Sequence, residues 1–324
     1  MKLSAHIENW AADRPFRIAG REWLSFDSVV VELSKDDVVG RGEALGVFYC
    51  GETAATIAAE IELHAQRIEA ATNRHDLQRL LPPGGARNAV DCAMWDLEAK
   101  SSKKRIWELT GIAPKPLQSV YTISLDTPEH MARHAAEAAD YALLKIKLNG
   151  EQPLECVQAI RAARPDARLV VDANQGWSFA MLERIAPELA DLGVEMIEQP
   201  LPRGADQQLE GFRSPVVLGA DESCLHAGEL DGAAARYQMI NIKLDKTGGL
   251  THALELARAV RARGLKLMVG CMGGSSLAMS PSFVVGCIAD LVDIDGPLLL
   301  KRDRLPGMRY AQGLVQPPDS TLWG

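Results

Sequence analysis

The chain has few aromatic residues and no recognisable cysteine motif. Phenylalanine, tryptophan and tyrosine make up 5% of its 324 residues, and its six cysteines form no Cys-x-x-Cys pair and no cluster with histidine. Zinc sites need such ligands at short spacing, so a zinc site is not supported. Isolated cysteines are typical of reduced thiols, which favours a cytoplasmic protein.

Excess positive charge and a clear membrane segment are also lacking. The net charge is −8 at pH 7, and no run of lysine and arginine reaches the density of a nucleic-acid-binding patch. The first fifteen residues contain no apolar segment of the kind found in signal peptides. Residues 267–289 are uncharged, but their four glycines, four serines and one proline favour a strand, a glycine-rich loop and a buried helix over a membrane span. We expect no nucleic acid and no membrane among the partners.

What is present is the composition of an ordinary globular protein, with 47% hydrophobic and 24% charged residues. Residues 27–46 alternate apolar and polar side chains around a polar turn, which predicts an antiparallel hairpin. Helical patterns follow over residues 52–71 and 86–104. Within the hairpin, Gly40, Gly42 and Gly46 resemble a dinucleotide-binding fingerprint, but the spacing is one residue too long and no helix begins there.

From about residue 118, short apolar runs alternate with amphipathic helical stretches. This alternation predicts a parallel sheet built from βα units. Eight runs suggest a closed (β/α) barrel, with an open doubly wound sheet as the alternative. The eight runs are SVYTISL, ALLKIKL, ARLVVDAN, VEMIEQPL, PVVLGADE, YQMINIKL, LKLMVGC and LVDIDG.

Charged residues cluster near the C-terminal ends of these runs, where βα barrels assemble their active sites. Asp172, Glu198 and Asp221 end three consecutive runs. Burying three carboxylates together costs several kcal/mol unless a cation lies among them. Ligands that are all oxygen atoms suit a hard cation, so we expect one Mg²⁺ bound by these three residues.

Lysines flank the expected metal. Lys147 on the second run and Lys243 on the sixth lie on opposite sides of an eight-stranded barrel. Lys145 points to the same side of its strand as Lys147, because side chains alternate along a strand. A neighbouring cation and a divalent metal lower a lysine's pKa toward the ~7–8 useful in catalysis, so Lys145 is expected to make Lys147 a better base. One lysine removing a proton α to a metal-bound carboxylate, and the other returning a proton to the opposite face of the enediolate, would invert the carbon.

Five motifs then identify a family: KIK, VDANQGW, IEQPL, ADES and NIKLDKTGG occur in order, one βα unit apart. They resemble the muconate-lactonizing-type subgroup of the enolase superfamily, over essentially the whole chain. This resemblance implies a modified (β/α) TIM-type barrel at residues 116–299. It also implies an α+β N-terminal capping domain at residues 1–115, completed by residues 300–324.

The resemblance implies the same roles for the charged residues as their positions in the runs do. Asp172, Glu198 and Asp221 would be the metal ligands, with Lys147 and Lys243 as the acid and base. Lys246 is expected to point away from the face shared by Asn241 and Lys243, and it is given no role.

Asp293 and Asp295 resemble the Asp-x-Asp pair of dipeptide epimerases, in which the pair binds the α-ammonium of the dipeptide. The stretches GARNAVDCAMWDLEAK and NIKLDKTGGLTHAL are also similar to L-Ala-D/L-Glu epimerases that recycle murein peptides. We therefore expect a Mg²⁺-dependent dipeptide epimerase with a dipeptide as its ligand, and we leave a homo-oligomer open. A muconate cycloisomerase or o-succinylbenzoate synthase is the alternative, although neither has an ammonium to neutralise. A non-catalytic carboxylate-binding homologue is a more remote one.

Two segments bear on specificity. Residues 14–23 are expected to form a mobile loop that closes over the barrel mouth. Arg21 falls where some L-Ala-D/L-Glu epimerases carry an arginine that binds the carboxylate of the glutamate side chain. The planar guanidinium of arginine is suited to such two-point binding. Arg14 or Arg17 could bind the carboxylate equally well. Gly273 and Gly274 follow the seventh run, and they leave undecided how the side-chain pocket is shaped. Phosphate binding is the alternative function of this glycine-rich loop.

Overall fold

The N-terminal region is an antiparallel sheet. In a computed structural model that describes residues 1–324, strands β1 (Lys2–Ile18), β2 (Arg21–Lys35) and β3 (Val38–Ala44) pair in that order. The hairpin predicted for residues 27–46 is confirmed by the pairing of β2 with β3. Asp36 and Asp37 both have positive φ at its turn, as two-residue turns between twisted strands require.

Helices cover one face of this sheet, and the predictions for residues 52–71 and 86–104 are confirmed. They are α1 (Ala54–Leu63), α2 (Ala65–Ala70), α3 (Arg74–Leu80), α4 (Gly85–Ser102) and α5 (Ile106–Thr110). Gly40 and Gly42 allow α4 to lie directly on β3. A Cβ atom on Gly40 would lie 2.3 Å from the carbonyl oxygen of Ala93, and one on Gly42 would lie 2.1 Å from that of Ala89. The glycines that resembled a nucleotide fingerprint therefore serve helix packing.

The second region is a parallel barrel, and all eight predicted runs are strands. Between the short strand β4 (Leu117–Gln118) and the C-terminus, the strands are β5 (Tyr121–Ile123), β6 (Leu143–Lys147), β7 (Arg168–Asp172), β8 (Val194–Glu198), β9 (Val217–Ala220), β10 (Met239–Lys243), β11 (Lys266–Gly270) and β12 (Leu291–Val292). They form one parallel sheet in sequence order. Its two edges meet where the Val120 N–H donates to the Val292 carbonyl oxygen at 2.9 Å, so the closed barrel is correct and the open sheet is not.

Helices alternate with the strands as predicted, except between β8 and β9, where the connection holds only the short 3-10 helix Gln207–Leu209. They are α6 (Pro128–Glu137), α7 (Pro153–Ala163), α8 (Phe179–Asp191), α9 (Leu230–Ala234), α10 (Leu244–Thr247), α11 (Leu250–Ala262) and α12 (Ser276–Gly286). Residues 267–289 are accordingly a strand, a loop and a buried 11-residue helix. No helix in the chain combines the length and apolar character that crossing a membrane would require.

The barrel interior changes from apolar to charged along its axis. A cluster of apolar side chains fills the N-terminal half of the barrel: Val120, Leu143, Val170, Met196, Met239, Met268 and Leu291. Side chains two positions further along a strand point to the same side, one level higher. That next level contains Thr122, Lys145, Asp172, Glu198 and Asn241, so strand alternation alone places the polar groups at the C-terminal mouth.

The last residues of the chain return to the N-terminal region. Strands β13 (Tyr310–Ala311) and β14 (Leu314–Val315) pair antiparallel, and β14 pairs with β4. Beyond them, the Trp323 indole N–H donates to the Cys92 carbonyl oxygen at 3.0 Å and the Gly324 N–H donates to Asp96 at 2.7 Å. We propose on these contacts that residues 300–324 complete the capping domain; the boundary near residue 115 stays a prediction.

The segment expected to be a loop over the barrel mouth is the end of a hairpin. Residues 14–18 belong to β1, Ala19 and Gly20 form the turn, and β2 begins at Arg21. The Arg17 N–H donates to Ser124 Oγ at 2.7 Å, which attaches the hairpin to the barrel rim after β5. The segment thus lies where the sequence placed it, but as paired strands.

Candidate active site

Three buried carboxylates lie together at the C-terminal end of the barrel. Asp172 ends β7, Glu198 ends β8 and Asp221 directly follows β9. The strand register pairs Asp172 with Glu198 and Glu198 with Gly219, so the first two side chains lie side by side. Each of the three is at most 1% exposed.

Lysines contact this cluster from two sides. Lys147 Nζ lies 2.6 Å from Asp172 Oδ2, and Lys243 Nζ lies 2.7 Å from Asp221 Oδ2. The lysines come from β6 and β10, which have three strands between them in the sheet. The two ammonium groups therefore flank the carboxylates, in the arrangement that the sequence predicts.

Lys145 lies below Lys147 and contacts three carboxylates. Its Nζ is 2.6 Å from Asp293, 2.7 Å from Glu198 and 3.2 Å from Asp172. Burial alone would lower the pKa of Lys145, but the three carboxylates raise it well above its ordinary value. Lys145 is thus a cation across the neutral pH range, next to Lys147.

The carboxylates differ in their pKa values. Burial opposes ionisation of all three, but Lys147 and Lys145 lower the pKa of Asp172 to about 2, and Lys243 and Lys246 lower that of Asp221. Glu198 has a raised pKa because of burial and the neighbouring charge of Asp172. The cluster is therefore anionic at neutral pH, with Glu198 its weakest acid.

The expectation that Lys246 points away from the site is wrong. Its Nζ lies 2.7 Å from Asp221 Oδ1 and donates to the carbonyl oxygens of Asp221 and Asn241, both at 2.7 Å. Strand alternation no longer applies after Lys243, because α10 begins at Leu244. Residues three apart lie on one face of a helical turn, so Lys246 comes back beneath Lys243.

The donor set fits a divalent cation such as Mg²⁺. All three candidate ligands are carboxylates, and hard cations prefer oxygen ligands. Asn241 Nδ2 donates to Glu198 Oε1 at 2.6 Å and Lys145 Nζ lies 2.7 Å from Glu198 Oε2, whereas Asn174 Oδ1 and Glu222 Oε2 are buried without a hydrogen bond. Buried oxygens without donors point toward a missing partner. Asn241 and Lys246 are supporting residues that the motifs contain but that sequence reasoning did not assign.

Asp293 and Asp295 lie at the other end of the same cavity. Asp293 Oδ2 is held by Lys145, and Asp295 Oδ2 accepts the Thr122 N–H at 2.7 Å. Burial and the charge of Asp293 raise the pKa of Asp295 to about 7. No cationic side chain contacts Asp295, so this carboxyl has capacity for a ligand cation.

The cavity between the two ends has apolar walls from the capping domain. Side chains of the β1–β2 hairpin and of the turn after β3 face the charged residues of the barrel. These apolar lining residues are Phe16, Ile18, Trp23, Phe26, Phe48 and Tyr49. The capping domain thus supplies the apolar walls of the site while the barrel supplies its charges.

Arg21 lies beside these walls without an acidic partner. Its guanidinium carbon is 5.0 Å from the ring centre of Trp23 and 4.7 Å from that of Phe48. The alternatives are both occupied: Arg14 pairs with Glu137 at 2.8 Å, and Arg17 pairs with Asp126 and Glu22. Of the three arginines, Arg21 is the one available to a ligand anion.

The glycine-rich loop after β11 shapes the pocket and does not favour phosphate. Gly273 has a φ of +97°, and a Cβ atom there would lie 3.3 Å from the Phe26 ring. At the start of α12, the Ser275 N–H donates to Glu43 at 3.0 Å and the Ser276 N–H donates to Asp303 at 2.9 Å. Carboxylates already occupy the amides that a phosphate would need.

The fold and donor set define a capped (β/α) barrel with a candidate divalent-metal site between lysines. Two family models match: the mandelate racemase/muconate lactonizing enzyme N-terminal domain over residues 2–111, and the enolase C-terminal domain-like family over residues 129–320. The chain belongs to the enolase superfamily, in its mandelate racemase/muconate lactonizing enzyme branch.

Relatives cover almost the whole chain. An L-Ala-D/L-Glu epimerase from Escherichia coli is 41% identical over 94% of this chain and 96% of its own. An N-acetyl-D-glutamate racemase from Pseudoalteromonas is also 41% identical, over 91% of this chain and 95% of its own. Both names contain glutamate, but they differ in what is attached to its nitrogen.

Two solved structures superpose on this chain over almost its whole length. An enolase family member from Agrobacterium tumefaciens with homology to dipeptide epimerases, containing sodium and L-Ala-L-Glu, superposes with a TM-score of 0.97 at 43% identity, covering 99% of both chains. A dipeptide epimerase from Enterococcus faecalis, complexed with Mg and L-Leu-L-Tyr, has a TM-score of 0.90 at 26% identity, covering 98% of this chain and 97% of its own.

Proposed function

We propose that this protein is a Mg²⁺-dependent dipeptide epimerase that interconverts L-Ala-L-Glu and L-Ala-D-Glu. The observation that carries the proposal is the placement of Lys147 and Lys243 on opposite sides of the carboxylate cluster, each within 2.7 Å of one member. A base on each side of one carbon is what inversion requires. The relatives named for L-Ala-D/L-Glu epimerization and the structure with L-Ala-L-Glu support the same substrate.

Asp172, Glu198 and Asp221 would bind the Mg²⁺. When bound, the ion supplies positive charge that offsets the negative charge developing on the substrate carboxylate as the α-proton leaves. Exhaustive chelation should therefore remove activity and Mg²⁺ should restore it. Glu198→Gln should also weaken Mg²⁺ binding in calorimetry, a measurement that does not depend on turnover.

The lysines move the proton. One of Lys147 and Lys243 takes the α-proton of the C-terminal residue, and the other gives a proton to the opposite face of the same carbon. Each acts as a base only when neutral and as an acid only when protonated. Lys145, held cationic by its three carboxylates, contacts the same Asp172 oxygen as Lys147 and so places a positive charge beside it.

Asp293 and Asp295 would bind the α-ammonium at the N-terminal end of the dipeptide. Asp295 supports this role because it is buried and is paired with a backbone N–H but with no cation. A carboxyl in that state gains most from a ligand ammonium, since the charge pair forms away from water.

Arg21 would bind the glutamate side chain. Its guanidinium is held against Trp23 and Phe48, which line the cavity, and it has no acidic partner in the protein. Stacking leaves the edge N–H groups free for two parallel hydrogen bonds to a carboxylate.

N-acetylglutamate racemization is the second candidate, because a relative of that name is as similar as the epimerase. The two substrates share the α-carbon chemistry and the glutamate side chain. They differ where Asp293 and Asp295 lie: a dipeptide places an ammonium there, and an acetyl group places a methyl. Asp293 is paired with Lys145, but Asp295 would face the methyl group without a cationic partner, which favours the dipeptide.

Three substrates decide between these candidates. L-Ala-L-Glu, N-acetyl-L-Ala-L-Glu and N-acetyl-L-Glu are each incubated with the enzyme and Mg²⁺ in D₂O, and deuterium at the glutamate α-carbon is measured by mass spectrometry. We expect rapid exchange with L-Ala-L-Glu and little with either acetylated compound. Faster exchange with N-acetyl-L-Glu would transfer the assignment to the racemase, and no exchange with any of the three would reject both.

We further propose that the enzyme works in a reducing compartment, in agreement with the predicted cytoplasmic location and peptide recycling. All six cysteines are unpaired, and four of them are buried. Self-association stays a prediction.

A further inference from the structure

Helix α4 of the capping domain has a polar face that the proposed function does not use. Arg87, Asp91 and Trp95 are spaced four apart, so they lie on one face of the helix. Arg87 is 2% exposed and Asp91 is fully buried. Buried polar groups require partners, and all three find them in the segment that directly follows Lys243.

The contacts run along that segment in order. Arg87 donates from Nη2 to the Thr247 carbonyl oxygen at 2.7 Å and from Nε to that of Gly248 at 3.1 Å. Asp91 accepts the Thr251 N–H at 2.9 Å and the Thr251 hydroxyl at 2.6 Å. The Trp95 indole N–H donates to Thr251 Oγ1 at 3.0 Å.

The same segment is held from the turn after β3 as well. Asp245 Oδ1 accepts the N–H groups of Leu45 and Gly46, at 3.1 and 2.7 Å. Gly249, with a φ of +109°, passes so close to α4 that a Cβ atom would lie 2.4 Å from Asp91 Oδ2. Residues 245–251 are therefore fixed to the capping domain by hydrogen bonds and by close approach.

The segment after Lys147 is different. The Leu148 N–H donates to the Asp172 carbonyl oxygen at 2.9 Å, and the Trp177 indole N–H donates to the Asn149 carbonyl oxygen at 2.9 Å. These partners belong to the barrel. The capping domain therefore holds the segment that follows Lys243, whereas the barrel holds the segment that follows Lys147.

We propose that Arg87, Asp91 and Thr251 are positioning residues for Lys243, and that Lys147 does not depend on them. The inference rests on the proposed two-lysine reaction. Rate depends steeply on the distance between a base and the proton it removes, so a small displacement of Lys243 by the segment that follows it slows its proton transfer.

Epimerization rates cannot show this one-sided effect, because the equilibrium constant fixes the ratio of kcat/KM in the two directions. Exchange without inversion can show it: in D₂O, a lysine removes the α-proton of one epimer and returns deuterium to the same face. Lys243→Ala and Lys147→Ala identify which epimer each lysine serves.

The test variants are Asp91→Asn and the milder Thr251→Val, with Thr251→Ser to restore the hydroxyl. Arg41→Met is the matched control, because Arg41 also joins the capping domain to a distant segment, donating to the carbonyl oxygens of Thr321 and Leu322 at 2.8 and 3.0 Å. Each variant is checked for folding by thermal denaturation. Deuterium incorporation into unreacted L-Ala-L-Glu and L-Ala-D-Glu is then measured separately.

For Asp91→Asn we expect exchange at the epimer served by Lys243 to fall about tenfold or more, with exchange at the other epimer unchanged. Thr251→Val should show a smaller change of the same kind, Thr251→Ser should restore the wild-type ratio, and Arg41→Met should keep it. The inference would be overturned if folded Asp91→Asn slowed exchange at both epimers equally or at neither. If Asp91→Asn does not fold, the same criterion applies to Thr251→Val. A wild type that exchanges neither epimer would instead reject the proposed function.

Discussion

The two ends of the cavity hold their charges differently. At the metal end, Lys147 and Lys243 each lie within 2.7 Å of a carboxylate, and Lys145 contacts two carboxylates there as well as Asp293. At the recognition end, Asp295 has only a backbone N–H, and Arg21 has only the faces of two aromatic rings.

This difference separates residues that perform a reaction from residues that select a substrate. Charges paired within the protein are already placed, so a ligand changes their surroundings little. Asp295 is buried without a cationic partner and carries a desolvation cost that a ligand ammonium removes, whereas Arg21 is exposed and available to a ligand anion. Substitutions at the metal end should therefore affect every substrate, and substitutions at the recognition end only those with the matching charge.

The largest effect is expected for the two bases. Lys147→Ala and Lys243→Ala should each lower the epimerization rate by roughly 10²–10⁴-fold, the usual contribution of a general acid or base. The loss should be the same for L-Ala-L-Glu and for L-Ala-L-Leu, measured by chiral chromatography. Lys266→Ala, at an exposed lysine, is the control. Full activity in either base variant would refute the two-base assignment.

The next effect is expected at Asp295. Removing one partner of a desolvated charge pair costs about 2–5 kcal/mol, so Asp295→Asn should lose roughly 30-fold or more in kcat/KM on free dipeptides. The ammonium is common to all dipeptides, so L-Ala-L-Glu and L-Ala-L-Leu should lose equally. If Asp295→Asn turns over free dipeptides as well as the wild type, the ammonium site has been assigned wrongly.

Arg21 should show a smaller and selective effect. A hydrogen bond to a charged group contributes about 1.5–3 kcal/mol, so Arg21→Met should raise KM for L-Ala-L-Glu by about tenfold or more. Turnover of L-Ala-L-Leu should be largely kept. A wild type without preference for an acidic second residue would show that Arg21 does not select the substrate.

The smallest effect concerns stability without substrate. The pKa of Asp295 is raised to about 7 in the folded protein, so this group stabilises the fold at low pH and loses that contribution as pH rises from about 4 through 7. Asp295→Asn cannot ionise, so its Tm should fall less than that of the wild type between pH 5 and pH 8, by a few degrees at most. Parallel Tm curves for the two proteins would show that Asp295 is already compensated in the wild type.

Much of this site could be predicted because strands alternate regularly. Lys145 and Lys147 are two apart in β6, so they had to share a face, and the barrel pattern placed them at the same mouth as Asp293 and Asp295, which follow the end of β12. The same rule failed at Lys246, because the chain turns into a helix after Lys243 and spacing by three replaces spacing by two.

Other features depend on contacts between distant segments. The sequence of α4 shows a polar face but not which segment it meets 160 residues away. Arg14, Arg17 and Arg21 were equivalent by type; they became distinct only when the fold placed Glu137 and Asp126 beside the first two. Such pairings are decided by tertiary packing, which a local pattern does not describe.

Exchange in D₂O by the single lysine variants shows whether the two lysines serve opposite faces of one carbon. We predict that Lys147→Ala and Lys243→Ala, with Mg²⁺, each incorporate deuterium into only one of L-Ala-L-Glu and L-Ala-D-Glu without inverting it, and that the two variants favour opposite epimers. Two variants that exchange the same epimer, or one that still inverts the substrate at the wild-type rate, would contradict the account.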